Sequence, residues 1–137
     1  MSDFFTSLIG NPDAVIIANG NYPKHEIPLS YIEKATYIVC CDGAANGFIA
    51  RGGHPNAIVG DCDSISEENK IRYADIIHPD PDQFTNDLTK SVQFCVQQGM
   101  KNLIIVAATG KSEDHALGNI SLLAEYMYYA NVAMITD

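Results

Sequence analysis

The residues of this chain with the clearest chemical potential are carboxylates spaced to share a cation. In Asn56-Ala57-Ile58-Val59-Gly60-Asp61-Cys62-Asp63-Ser64, a short β-branched run stops at a glycine and delivers two aspartates separated by one residue. The run reads as a buried strand, and in open α/β sheets the carboxyl end of a strand is where ligands bind. On an extended backbone Asp61 and Asp63 point to the same side, with Cα atoms roughly 6.5 Å apart, and Cys62 points away. Two carboxylates about 4 Å apart repel by on the order of 4 kcal/mol at an effective dielectric of 20. A hard divalent cation relieves that repulsion. Mg²⁺ takes one or two carboxylates and completes its shell with water and substrate phosphates, so the stretch points to a metal and phosphate site. A purely structural reading makes Asp61 a turn residue and Ser64 a helix cap, with Glu67 at capping-box spacing ahead of a helix over Ser66 to Tyr73.

Other stretches repeat the arrangement. Tyr37-Ile38-Val39-Cys40-Cys41 runs into Asp42-Gly43, again an apolar strand, an aspartate and a glycine. Asp82 precedes a predicted helix over Thr85 to Gln98, and Asp87 falls in its first turn, where the helix dipole favours acidic residues in any case. Leu103 to Ala108, the most strand-like run, opens into Thr109-Gly110-Lys111-Ser112-Glu113-Asp114-His115. A glycine loop between strand and helix presents backbone N–H groups to anions, and Lys111 offers a point charge for a phosphate. Gly110-Lys111-Ser112 is not a P-loop, because the upstream glycine of that motif is missing. Asp114 as a helix cap and His115 as a packed side chain are the structural readings of that segment.

The elements that must position these groups alternate along the chain. Ala14 to Asn19 is the predicted first strand, ending in the turn-rich Gly20-Asn21-Tyr22-Pro23; a short helix over Ser30 to Ala35 leads to the second. Ala44 to Arg51 is helical in composition despite Gly47, which costs about 1 kcal/mol relative to alanine. A short strand over Asp75 to His78 runs into a loop stiffened by Pro79 and Pro81. Phe84, Leu88, Val92, Cys95 and Val96 recur at helical spacing up to Gly99, while Ala116, Ile120, Leu123 and Met127 mark a last helix to about Tyr129. Val132 to Asp137 is the sixth strand. Alternation with short connections predicts one α/β domain: a doubly wound, mostly parallel sheet of about six strands in a Rossmann-like three-layer sandwich.

Composition sets the company such a domain keeps. The 137 residues suffice for one core, and 47% apolar with 18% charged residues is a globular balance. Eight basic against seventeen acidic side chains give a net charge of −9, which argues against nucleic-acid or anionic membrane partners. An acidic protein that handles phosphates needs cations at its site. No apolar stretch approaches the roughly 20 residues of a spanning helix, and Met1 to Gly10 has neither the basic start nor the apolar centre of a signal peptide, so a cytoplasmic location is expected. Cys40, Cys41, Cys62 and Cys95 lack zinc-ligand spacing and read as reduced structural thiols.

Together, Asp42-Gly43, Gly60 to Ser64, the segment Asp82-Gln83-Phe84-Thr85-Asn86-Asp87-Leu88-Thr89-Lys90 and Thr109 to His115 resemble thiamine pyrophosphokinase, in order over Asp13 to Asp137. The resemblance implies transfer of the pyrophosphoryl group of ATP to the hydroxyethyl oxygen of thiamine, giving thiamine diphosphate and AMP with Mg²⁺. It implies that Asp42, Asp61, Asp63 and Asp87 hold the metal, with Asp61, Asp63 and Asp87 at the catalytic centre; acceptance of the hydroxyl proton is the alternative role for one of these carboxylates. Asp82, Thr109, Gly110, Lys111 and Asp114 fall to the ATP side, and Gln83 to the substrate. It further implies that residues 1–137 are the α/β catalytic domain of a homodimeric subunit, the family's C-terminal β-rich thiamine-binding domain lying outside them. Two positions depart from the family pattern: Ser112 stands where an arginine is frequent, and Asn86 where threonine is frequent. A nucleotide-sugar transferase also places Asp-x-Asp after a strand, but leaves Asp82 to Lys90 and Asp114-His115 without a role. A non-catalytic nucleotide-binding module is the remaining alternative.

Overall fold

The computed structural model describes residues 11–82, 85–110 and 130–136. Its strands are β1 (Ala14–Ile17), β2 (Ile38–Cys41), β3 (Ala57–Gly60), β4 (Ile77–Pro79), β5 (Asn102–Val106) and β6 (Asn131–Ile135). They form one sheet in the order β4-β3-β2-β1-β5-β6, with every pairing parallel. The order reverses direction at β1, whose neighbours are β2 and β5: Val15 lies opposite Ile38 on one side and Ile104 on the other. This is the doubly wound arrangement expected, with the sheet parallel throughout.

Strands this apolar belong in a sheet covered on both faces, because neither side has to meet water. Ala14, Ile16, Val39, Val59, Leu103 and Ile105 point to one face and pack with Leu88, Val92 and Cys95 of helix α4 (Asp87–Gln97). Val15, Ile17, Cys40, Ile58, Ile104 and Val106 point to the other, under Ile32 of α1 (Glu26–Lys34) and Ala45 and Phe48 of α2 (Ala44–Ala50). Among the described residues the result is three layers: helices, sheet, helix.

Element boundaries differ from expectation where a local signal was hidden. Helix α1 begins at Glu26, four residues before the predicted start, with His25 as its cap accepting from the Ile27 N–H at 3.2 Å. Pro28 sits in its first turn, where the missing N–H costs nothing. Helix α3 (Glu67–Arg72) is capped by Ser66, whose Oγ accepts from the Asn69 N–H at 3.2 Å; Ser64 is not its cap. Asp75 falls in a 3₁₀ turn, Ala74–Ile76, so β4 starts at Ile77. Asn86 caps α4 by accepting from the Thr89 N–H at 2.8 Å, which shows how asparagine serves at that position. The predicted last helix and Phe84 lie outside the described residues.

Candidate active site

Each strand end converts its sheet position into a place for one side chain. Asp42 follows β2 directly, its N–H still bound to the Val59 carbonyl at 2.9 Å and its carboxylate accepting from the Ser64 N–H at 3.2 Å. Asp61 follows β3. Asp87 opens α4 on the opposite face of the sheet and reaches over the end of β3. The three meet: one carboxylate oxygen from each of Asp42, Asp61 and Asp87 lies within 4.8 Å of the others.

Gly60 makes the meeting possible. Its φ is +147°, and a Cβ there would lie 2.8 Å from Asp87 Oδ1 and 3.1 Å from the Asp42 Cβ, so any side chain would drive the carboxylates apart. Asp42 (φ 42°), Cys62 (φ 68°) and Ala107 (φ 60°) are the described non-glycine residues in the left-handed region, and all three follow strand ends. Such backbone costs on the order of 1–2 kcal/mol per residue and gathers at functional sites.

The same turn corrects one expectation. The Asp61-Cys62-Asp63 backbone is not extended, because Cys62 turns it; the Asp63 N–H instead donates to Asp61 Oδ1 at 3.2 Å. Asp63 is exposed and stands outside the three-carboxylate cluster, while Asp42 and Asp87 join Asp61. Cys62 is half-buried, with burial and the surrounding aspartates pushing its thiol up to about 11, so it stays protonated.

Like charges brought together must share protons or find a cation. Burial, then a hydrogen bond with Asp61, pushes the Asp42 carboxyl up to about 6. Burial and the Asp61 charge raise Asp87 as well. Asp61 is held below its ordinary value by the Asp63 N–H and by its bond with Asp42. Burial thus favours a proton on Asp42 and leaves Asp61 the more readily charged of the two. Three oxygen donors of this kind suit a hard cation that also takes phosphate and water.

Two residues brace the cluster. Asn46 on α2 donates to the Ser64 carbonyl at 2.7 Å and accepts from the Ser66 N–H at 3.1 Å and Asn69 Nδ2 at 3.0 Å, fastening the loop after β3. Lys90, only 4% exposed, donates to the Asp80 carbonyl at 2.7 Å and lies 3.9 Å from Asp87 Oδ1. Neither role follows from spacing, since their partners are 18 or more residues away for Asn46 and on another loop for Lys90.

A second feature lies beside the first, at the reversal of strand order. Gly20 donates to the Ala107 carbonyl at 2.7 Å and Asn21 to Thr109 at 2.9 Å; a Cβ on Gly20 would collide with the Ala107 and Thr109 carbonyl oxygens. This close seam borders a cavity of about 280 Å³ lined by Asn19 to Tyr22, Gly43, Gly47 and Arg51. Gly43, which lines it, follows Asp42 directly in the chain. The Arg51 guanidinium stacks 4.0 Å from the Tyr22 ring centre and donates to the Gly47 carbonyl at 3.0 Å. Sequence reasoning gave neither Arg51 nor Tyr22 a place in the site. Thr109 and Gly110 line a smaller adjoining cavity of about 120 Å³ with Asn21 and Ala107. Asp82 sits in the exposed loop before α4, accepting from Thr85 Oγ1 at 2.8 Å. Gln83, Lys111, Ser112, Asp114 and His115 lie outside the described residues. Among the described residues no helix is long and apolar enough to cross a membrane.

Comparison with known proteins supplies relatives for this arrangement. Residues 29–136 match the family model described as thiamin pyrophosphokinase, catalytic domain. Thiamin pyrophosphokinase 1 of Caenorhabditis elegans is 31% identical over 113 residues, covering 76% of this chain and 46% of the relative. Thiamine pyrophosphokinase 1 of Oryza sativa subsp. japonica is 30% identical over 149 residues, covering 90% and 56%. The chain thus spans about half the length of the curated relatives it matches. Solved structures of thiamin pyrophosphokinase from Candida albicans (21% identity, TM-score 0.71, 96% of this chain and 59% of that one) and thiamine pyrophosphokinase from Bacillus subtilis (24%, 0.68, 90% and 59%) share the fold. With a family match over most of its length, the chain belongs to the thiamin pyrophosphokinase family, in the part that carries the catalytic domain.

Proposed function

We propose that the chain is the nucleotide- and metal-binding part of an enzyme that transfers the pyrophosphoryl group of ATP to thiamine, giving thiamine diphosphate and AMP. The observation that carries this reading is the approach of Asp42, Asp61 and Asp87 to within 4.8 Å, two of them from strand ends and one from the start of a helix. Mg²⁺ held there would supply charge neutralisation and a template for the polyphosphate. Asp63, beside Asp61 and facing solvent, is the fourth carboxylate of the reading.

The protein's own work is positioning, because pyrophosphoryl transfer asks for little covalent chemistry from it. The nucleoside fits the cavity between the end of β1 and α2, at the topological switch point where open parallel sheets bind ligands. Thr109 and Gly110 border its β5 side, and Asp82, Lys111 and Asp114 are assigned to ATP by the family pattern. The thiamine hydroxyl oxygen bonds to the β-phosphorus as the bond to the α,β-bridging oxygen breaks. AMP leaves with that electron pair, and the hydroxyl proton passes to a carboxylate of the cluster. Gln83 is assigned to the substrate. A homodimer, a cytoplasmic location and a further β-rich domain holding thiamine complete the reading. Family membership counts against a sugar transferase or a silent binding module.

The test is product analysis with the full-length protein, ATP, Mg²⁺ and thiamine. Thiamine-dependent AMP formation is expected, lost on chelation. Release of nucleoside diphosphate from a nucleotide sugar, or no turnover, would overturn the assignment.

A further inference from the structure

Resting on that reading, we infer that Lys90 is a positioning residue, a buried built-in counter-charge that holds Asp87 in the metal-binding cluster and ties the loop after β4 to the end of β3. Lys90 is 4% exposed, and a buried ammonium persists only where its charge is compensated. Among the described residues its short contact is to the Asp80 carbonyl, at 2.7 Å. The Asp80 N–H in turn donates to the Gly60 carbonyl at 2.7 Å, and Gly60 is the residue against which Asp87 and Asp42 rest. From Lys90 through Asp80 and Gly60 to Asp87, one turn before Lys90 on α4, the contacts close a ring.

The separation from Asp87 is the informative quantity. At 3.9 Å the ammonium fixes the carboxylate by charge without a close hydrogen bond, so the oxygen lone pairs remain available to a cation. Lys90 therefore lets three carboxylates stand together before a metal arrives while leaving their donor atoms unspent. Partners of this kind, one shell behind a metal's ligands, set affinity as well as activity.

The test compares Mg²⁺ binding by calorimetry, without nucleotide, in full-length wild type, Lys90→Met, Lys90→Gln and Lys90→Arg, alongside Mg²⁺ and thiamine dependence of turnover. Lys90→Met should weaken Mg²⁺ binding by about 10–100-fold and raise the half-activating Mg²⁺ concentration in parallel, with KM for thiamine unchanged. Lys90→Gln, which keeps a donor for Asp80 and removes the charge, should follow Lys90→Met if that variant does not fold. Lys90→Arg should restore most of the affinity. Folded Lys90→Gln or Lys90→Met binding Mg²⁺ as well as wild type, or more tightly, would overturn the inference while leaving the functional reading intact. Wild type that takes up no Mg²⁺ without nucleotide would overturn the inference alone, since the functional reading stands or falls on thiamine-dependent AMP formation.

Discussion

The two ends of the parallel sheet treat their polar side chains in opposite ways. At the amino end, Asp13 Oδ2 accepts from the Lys101 and Asn102 N–H groups at 3.0 Å each, Asn56 Oδ1 accepts from the Ile38 N–H at 2.8 Å, and Asn131 Nδ2 donates to Asn102 Oδ1 at 2.9 Å. Every one of these groups completes backbone or amide hydrogen bonding. At the carboxyl end, Asp42, Asp61 and Asp87 face one another, and two of the three described non-glycine left-handed residues, Asp42 and Cys62, belong to the same loops. An aspartate surrounded by N–H donors is a structural staple. One surrounded by aspartates destabilises the ion-free fold and has to be explained by a ligand.

The contrast can be broken hardest by exchanging charge for amide. Asp61→Asn or Asp63→Asn in the full-length protein should lower turnover by at least about 100-fold, the upper range for groups one shell further out, with thermal unfolding close to wild type. Near-normal rates in either variant would remove that carboxylate from the mechanism. Gly60→Ala attacks the geometry instead. Its Cβ meets Asp87 Oδ1, so Mg²⁺ affinity should fall by about 10–100-fold, as read by calorimetry.

At the amino end the expectation reverses. Asp13→Ala strands two backbone donors and should cost about 1–3 kcal/mol of stability in urea unfolding, with turnover per folded molecule unchanged. A loss of activity beyond the loss of folded protein would erase the distinction between the two ends.

The smallest effect is in pH. Asp42 titrates near 6 in the fold against an ordinary value of 3.8, so the folded state binds the extra proton between those values. Its stabilising share is complete below about pH 4 and is lost as pH rises to 6, and Asp87 shifts in the same direction. Asp61 works oppositely, its share being lost only as pH falls below 3.8. Mg²⁺ held at Asp42 would displace its proton. The Mg²⁺-induced rise in melting temperature should therefore be larger at pH 7.5 than at pH 5, and an equal rise at both would show that Asp42 does not bind the ion.

Much of this was legible in the chain. Runs such as Ile104 to Val106 are apolar on both faces, which dictates a covered parallel sheet, and aspartates after three apolar runs place acid at its carboxyl edge. What misled was local geometry: an extended Asp61-Cys62-Asp63 would aim both carboxylates to one side, whereas Cys62 at φ 68° turns the backbone between them. Ser64 had capping-box spacing, yet its N–H is held by Asp42 and its carbonyl by Asn46, and Ser66 took the cap.

The sequence by itself determined the alternation of strands and helices, the family and the identity of the acidic residues, because these rest on local periodicity and on short motifs. The tertiary structure alone decided which carboxylates meet. Asp42 and Asp87 are 45 positions apart on opposite layers, and only strand order, the bare Cα of Gly60 and the buried charge of Lys90 bring them to one point. Contacts between distant segments depend on how layers stack, which no spacing along a chain encodes.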